Sequence, residues 1–203
     1  MKLYYSPGAC SLAAHIVGQE ADLKLQLEKV DLTTHKTADG RDYYAVNPKG
    51  YVPALQLDQG GTLTENIAIL NYLADHTGEK LYTPPAGSME RYRLEEWLGF
   101  ITTELHKSFG PLFQGASGTD AEKIKEKIGK RLAHTDEQLG GKPFLMGDRM
   151  SVADAYLFVI LTWAKKMHLD TSRFSNLTAF FARMTRRPAV QRALQEEGLP
   201  LPA

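Results

Sequence analysis

The chain has 203 residues, enough for one large domain or two small ones with a true interior. Lys plus Arg and Asp plus Glu each number 24, so the formal net charge is zero and no general pull on nucleic acid or anionic lipid is expected. No apolar run approaches the roughly 18 residues of a membrane span, and the N-terminus lacks the apolar stretch of a secretory signal, so no membrane partner and a cytoplasmic address are expected.

The predicted elements begin with a short strand, Lys2 to Tyr5, closed by Ser6-Pro7-Gly8. A helix follows from about Cys10 to Glu20, with Leu12, Ala13, Ile16 and Val17 on one face. Residues 25–30 alternate apolar and polar as a half-buried strand does. Thr33 to Gly40 reads as loop, and a short helix is expected near Arg41 to Val46, stopped by Asn47-Pro48-Lys49-Gly50. Residues 52–57 form the next strand, and Gln59-Gly60-Gly61 turns it back into Thr62-Leu63. A helix then starts after Thr64 and runs to about His76. The order βαβαββα predicts a mixed sheet with helices on both faces.

Residues 81–88, with Pro84-Pro85 and Gly87, form a linker by composition. Beyond it strand signals vanish, and 89–203 reads as an all-helical domain following a first domain of 1–80. Ser88 is placed to cap a helix whose Leu94, Trp97, Leu98, Ile101 and Leu105 keep helical spacing. Further helices are expected over 119–139, 152–167, 177–186 and 189–196. Ser151-Val152-Ala153-Asp154 is a capping box in acidic form, with Met150 as its staple, and starts a buried helix. Arg183, Arg186 and Arg187 cluster near a helix C-terminus, where cations are favoured.

Cys10 is the one cysteine, which excludes an internal disulfide and any resolving partner within the chain. It opens a helix after a strand and a Pro-Gly turn, where free N–H groups and the helix dipole favour a thiolate. A small buried side chain is the equally weighted reading. No metal-binding set is expected. Tyr4, Tyr5, Phe109, Phe113 and Trp163 are aromatic candidates for an apolar cleft, core packing being the stronger reading for most of them.

Residues 1–12, with Pro7-Gly8-Ala9-Cys10-Ser11, resemble the N-terminus of bacterial beta-class glutathione transferases. So do Asn47-Pro48-Lys49-Gly50-Tyr51-Val52-Pro53-Ala54-Leu55, Leu63-Thr64-Glu65-Asn66, Glu104-Leu105-His106-Lys107 and Ser151 to Leu157, in order along essentially the whole chain. The resemblance implies a thioredoxin-like N-terminal domain followed by an all-α domain. It implies glutathione as cosubstrate, no prosthetic group, a small hydrophobic electrophile and a C2 homodimer. It assigns catalysis to Cys10 and His106, and it implies that Pro53 is cis, so that the Val52 backbone pairs with the cysteinyl part of glutathione. Glu65 and Asn66, opening a helix, are implied to hold the γ-glutamyl group, Glu65 through its ammonium and the helix N-terminus through its carboxylate. His106 is implied to face the glutathione sulfur, with Gly99 and Thr103 on its stripe, Glu104 also at the site, and Lys107 nearby. Tyr5 and Ser11 are auxiliary neighbours of the sulfur.

Four positions depart from the family pattern. His35 stands where a lysine meets the glycine carboxylate of glutathione, with Lys36 a substitute. Gly99 replaces an asparagine supplied by the neighbouring subunit, and Asn66 replaces a small residue. Gly18-Gln19 replaces a leucine-arginine pair, the glycine weakening the first helix by about 1 kcal/mol relative to alanine. Conjugation of glutathione to an apolar electrophile is the leading expectation. A glutathione-dependent thiol–disulfide oxidoreductase or peroxidase, with Cys10 holding a mixed disulfide, is the alternative. A non-catalytic ligand-binding protein of the same fold is the third.

Overall fold

In the computed structural model, which describes residues 1–76, 78 and 81–202, the chain divides into two compact units: Met1–Thr83 with Arg186–Ala203, and Pro84–Thr185. The boundary expected at residue 80 lies outside the described residues.

The first unit is built on a five-stranded sheet of order β3-β2-β1-β4-β5. Strand β1 (Lys2–Tyr5) runs parallel to β2 (Gln26–Asp31), with Leu3 opposite Leu27. Helix α1 (Ser11–Glu20) makes the crossover that a parallel pair requires. On its other side β1 pairs antiparallel with β4 (Ala54–Gln56), and β4 pairs antiparallel with β5 (Thr62–Thr64) through the expected Gly60-Gly61 turn. Strand alternation sorts the core. Tyr4, Val30, Val52 and Ala54 pack with Tyr43 on one face, while Leu3 and Leu55 lie on the face covered by α1 and α2 (Asn66–Asp75). Tyr4 is thus a core residue, its ring 5.6 Å from that of Tyr43.

Two local expectations need correction. The segment read as loop over 33–40 holds a strand, β3 (Lys36–Thr37), antiparallel to the end of β2. Two residues carry no periodicity, so only the hairpin geometry reveals it. The helix expected near 41–46 is a single 3₁₀ turn, Tyr43–Ala45, capped by Asp42, whose Oδ1 accepts from the Tyr44 N–H at 3.0 Å.

Within the second unit α3 (Met89–Phe100) starts at Ser88, which accepts from the Arg91 N–H at 3.1 Å. The sequence predicts one continuous α-helix through His106. Instead α3 gives way to a π turn over Ile101–Leu105 and a 3₁₀ turn over His106–Phe109, followed by α4 (Gly110–Phe113). Thr102 donates its hydroxyl to the Leu98 carbonyl at 2.8 Å and Thr103 donates to that of Gly99 at 3.1 Å. Such bonds compete with the helix ladder and bend it. Helix α5 (Gly118–Leu139) ends at Gly140 in the left-handed region.

Helix α6 (Val152–Lys166) is buried along nearly its whole length and packs against α3, the π turn and α7 (Ser175–Thr185). Its capping box closes as expected: Asp154 Oδ2 accepts from the Ser151 N–H at 2.8 Å and hydroxyl at 2.7 Å, and Oδ1 from the Leu145 N–H at 2.8 Å. Burial outweighs these bonds and lifts the Asp154 carboxyl to about 6.

Residues 186–203, read from the sequence as the end of the helical domain, group with the first unit, because α8 (Pro188–Glu196) packs on α1. Arg187 and Glu20 form a two-point ion pair, with Nη2 donating at 2.8 Å. His15 is buried between Glu196 and Glu197, at 2.7 Å from Nε2 and 3.1 Å from Nδ1.

Candidate active site

Strand β1 ends in a turn that delivers Cys10 to the start of α1. Gly8 takes φ 71°, a conformation that glycine adopts without penalty, and donates its N–H to Glu197 Oε2 at 2.9 Å. Ser11 is buried and tied to this turn: its Oγ accepts from the Ser6 N–H and donates to the Ser6 carbonyl, both at 3.3 Å. Tyr5 is buried beside it, 6.2 Å between rings from His15, and burial and then Glu197 raise its hydroxyl pKa.

Cys10 itself is buried, and its Sγ donates to the Val52 carbonyl at 3.4 Å. The helix-end argument favours a thiolate here, but desolvation dominates and pushes the thiol up to about 12, with the Glu65 charge adding to the rise. The Val52–Pro53 peptide is cis, as the resemblance implies. The backbone before it is held from two sides, Tyr43 Oη and Asn47 Nδ2 each donating to the Tyr51 carbonyl at 2.7 Å.

Glu65 caps α2 from an unusual position, φ 72°, rare for a side chain with a Cβ. Its carboxylate accepts from Lys49 Nζ at 2.6 Å. Asn66, the first residue of α2, has both side-chain polar atoms buried without a hydrogen-bond partner. His35 also has positive φ, 51°; its ring lies 4.6 Å from that of Tyr44, and its Nδ1 is buried without a partner. Lys36 lies in β3, opposite Asp31 and exposed. Cys10 and Val52 therefore touch, and Glu65 and Asn66 adjoin, while His35 packs on Tyr44.

In the second unit His106 follows the π turn. Its Nδ1 shares a short hydrogen bond with the hydroxyl of Tyr156, and its ring meets Trp163 edge-on at 4.8 Å. Burial, with a smaller push from Lys107, lowers its pKa to about 4, so the imidazole is neutral at pH 7. Phe109 and Phe113 stand 5.8 and 5.1 Å from Trp163, giving an aromatic cluster of which Phe113 is exposed. The neighbours of His106 go elsewhere. Glu104 pairs with Arg131 Nε at 2.8 Å, Lys107 is exposed, and Thr103 is turned back to Gly99. A Cβ on Gly99 would meet nothing within 4 Å.

Sequence reasoning missed three residues that shape these groups. Lys49 belongs to the helix stop and to the motif that carries the family resemblance, and neither signals its pairing with Glu65. Tyr43 and Tyr156 lie inside apolar stretches that mask a working hydroxyl.

The chain matches two families: residues 1–75 the glutathione S-transferase N-terminal domain, and residues 100–188 the corresponding C-terminal domain. It is 44% identical to glutathione S-transferase GstA of Escherichia coli O157:H7, the match covering 98% of this chain and 100% of GstA. Two solved structures are similar over 98% of this chain and 100% of theirs. One is a sphingomonad glutathione S-transferase complexed with glutathione, at 44% identity and TM-score 0.93. The other is the beta-class enzyme of Sphingomonas chungbukensis, at 45% identity and TM-score 0.93.

Proposed function

The chain belongs to the glutathione S-transferase family, in its beta class, and from that membership we propose that it conjugates the thiolate of glutathione to small apolar electrophiles. The observation that carries the reading is the 3.4 Å contact between Cys10 Sγ and the Val52 carbonyl. A peptide paired with the Val52 backbone in strand fashion brings its own cysteinyl sulfur beside Cys10. Glu65 then receives the γ-glutamyl ammonium, and Asn66 with the first N–H groups of α2 receives the adjoining carboxylate. His35 and Lys36 serve the glycine end.

The neutral states of Cys10 and His106 support distinct roles. Cys10, held as a thiol, donates a weak hydrogen bond and is not the attacking group. A neutral His106 with a pKa of about 4 is a poor acceptor for a thiol proton. A mismatch of about 4.5 units from an ordinary thiol opposes that transfer by about 6 kcal/mol. The family resemblance assigns His106 to the sulfur of glutathione, and a neutral imidazole suits it to an N–H donor's role there, the thiol proton leaving to water. The aromatic cluster around Trp163 supplies an apolar surface for the electrophile. The exposed Met89 and Tyr92 on α3 are suited to pairing two copies.

The test is turnover of 1-chloro-2,4-dinitrobenzene with glutathione. Saturable conjugation that survives in Cys10→Ala is expected. Absence of both turnover and retention on immobilised glutathione would overturn the reading in favour of a non-catalytic binder. Conjugation lost in Cys10→Ala, with disulfide reduction present in the parent, would favour the oxidoreductase.

A further inference from the structure

Lys49 engages the very carboxylate proposed to receive the ligand's ammonium. Its Nζ donates to Glu65 Oε1 at 2.6 Å and to Thr64 Oγ1 at 3.1 Å. Asn47 fixes the turn that brings it there. That side chain is buried, donates to the Tyr51 carbonyl at 2.7 Å, and accepts from the Lys49 N–H at 3.2 Å. Immediately beyond Glu65, the Asn66 amide is buried with neither its nitrogen nor its oxygen partnered. A cation, an anion and an unpartnered amide thus converge on the N-terminus of α2, a ten-residue helix. The ion pair itself is exposed on both sides, a setting in which such pairs contribute at most about 1 kcal/mol. It is easily exchanged for another partner.

We infer that Lys49 is a binding residue for the α-carboxylate of the γ-glutamyl group, reached by a change of partner when the ligand arrives. The inference rests on the glutathione reading above. The head of the ligand carries an ammonium and a carboxylate on one carbon. Its ammonium takes Glu65; Lys49, released, takes the carboxylate; the Asn66 amide donates to the same group. The empty site holds one ion pair and the filled site holds two, so no charge is stranded in either state. Glu65 alone would accept any primary ammonium, whereas Glu65 with Lys49 demands both charges at the α-carbon. The substrate class is then the γ-glutamyl thiols with an intact zwitterionic head.

The test compares glutathione with its analogue in which γ-aminobutyrate replaces γ-glutamate, which keeps the ammonium and lacks the α-carboxylate. Both are assayed by conjugation to 1-chloro-2,4-dinitrobenzene on the full chain. Lys49→Met is expected to raise KM for glutathione about five- to tenfold with kcat within a factor of two, as for loss of one charge-assisted contact. For the analogue KM stays level or falls, because Glu65 is freed. Lys49→Arg restores most of the affinity. An equal rise in KM for both thiols, which a purely structural role would produce, overturns the inference, as does no change for glutathione. If the parent chain neither binds nor conjugates glutathione, the underlying reading fails and takes this inference with it.

Discussion

At the scale of single residues, the two groups with the largest bearing on chemistry are both held neutral by burial. Position at a helix start argues for a thiolate at Cys10, and that much is legible in the sequence. The opposing effect, desolvation under Val52 and its neighbours, is not, because it depends on what folds over the thiol. With the thiol pushed up to about 12, alkylation of the free protein by iodoacetamide at pH 7.5 should run at least about a hundredfold slower than that of free cysteine. Labelling followed by intact mass measures it; fast modification of Cys10 would refute the neutral assignment. His106 was singled out by resemblance alone, and its partner Tyr156 was hidden in an apolar helix. Its folded-state pKa is lowered to about 4, so the fold prefers the neutral ring. That contribution to stability is fully present above the unfolded value near 6.5 and is lost as pH falls from there toward 4. His106→Gln should therefore lose less stability than the parent between pH 7 and pH 4.5, read as urea midpoints. His106→Leu, which removes the N–H that glutamine would retain, should lower kcat/KM for conjugation about tenfold and move the rise of the pH–rate profile upward, since the proposed donor to the thiolate is gone.

Element by element, apolar spacing located the helices well and misread what happens inside one of them. Leu94, Leu98, Ile101 and Leu105 are all fully buried, as a continuous α-helix predicts. Yet the last two begin and end a π turn. Burial repeats every three or four residues in either geometry, so the pattern cannot distinguish them; the clue lies in the consecutive Thr102 and Thr103 hydroxyls. Strand β3 was beyond reach for the opposite reason, being too short for any period. The glycines of α1 and α3 make a paired prediction. A Cβ on Gly99 meets open space, so Gly99→Ala should stabilise by about 1 kcal/mol, the ordinary helix propensity difference. A Cβ on Gly18 would stand 2.4 Å from Leu25 Cδ1 and 3.1 Å from its Cγ. Gly18→Ala should therefore gain little or nothing, since Leu25 must move. Thermal unfolding of the two variants separates the cases, and equal gains would refute the close approach.

On the scale of the whole molecule, alternation and composition announced a sheet-bearing segment followed by a helical one. The pattern did not announce that the last helix returns to the first unit. That return depends on His15, Glu196 and Glu197, whose side chains read as ordinary helix surface until α8 is laid on α1. Glu197→Ala removes acceptors from the Gly8 N–H and from His15 Nδ1. Loss of buried acceptors of this kind costs roughly 3 kcal/mol, which corresponds to about a hundredfold less hydrogen-exchange protection at α1 amides. Trp97 and Trp163 both lie in the second unit, so their fluorescence should change little in the same variant. Because Pro84–Thr185 interrupts the first unit in sequence, synthesis meets an ordering problem. A ribosome that has released the first hundred residues has exposed β1, α1 and the Cys10 turn, but the segment that latches them is still unmade. The nascent sheet must wait, with one flank of α1 uncovered, until the codons for α8 are read. A stop codon placed ahead of α8 would thus damage the part of the protein that was translated first.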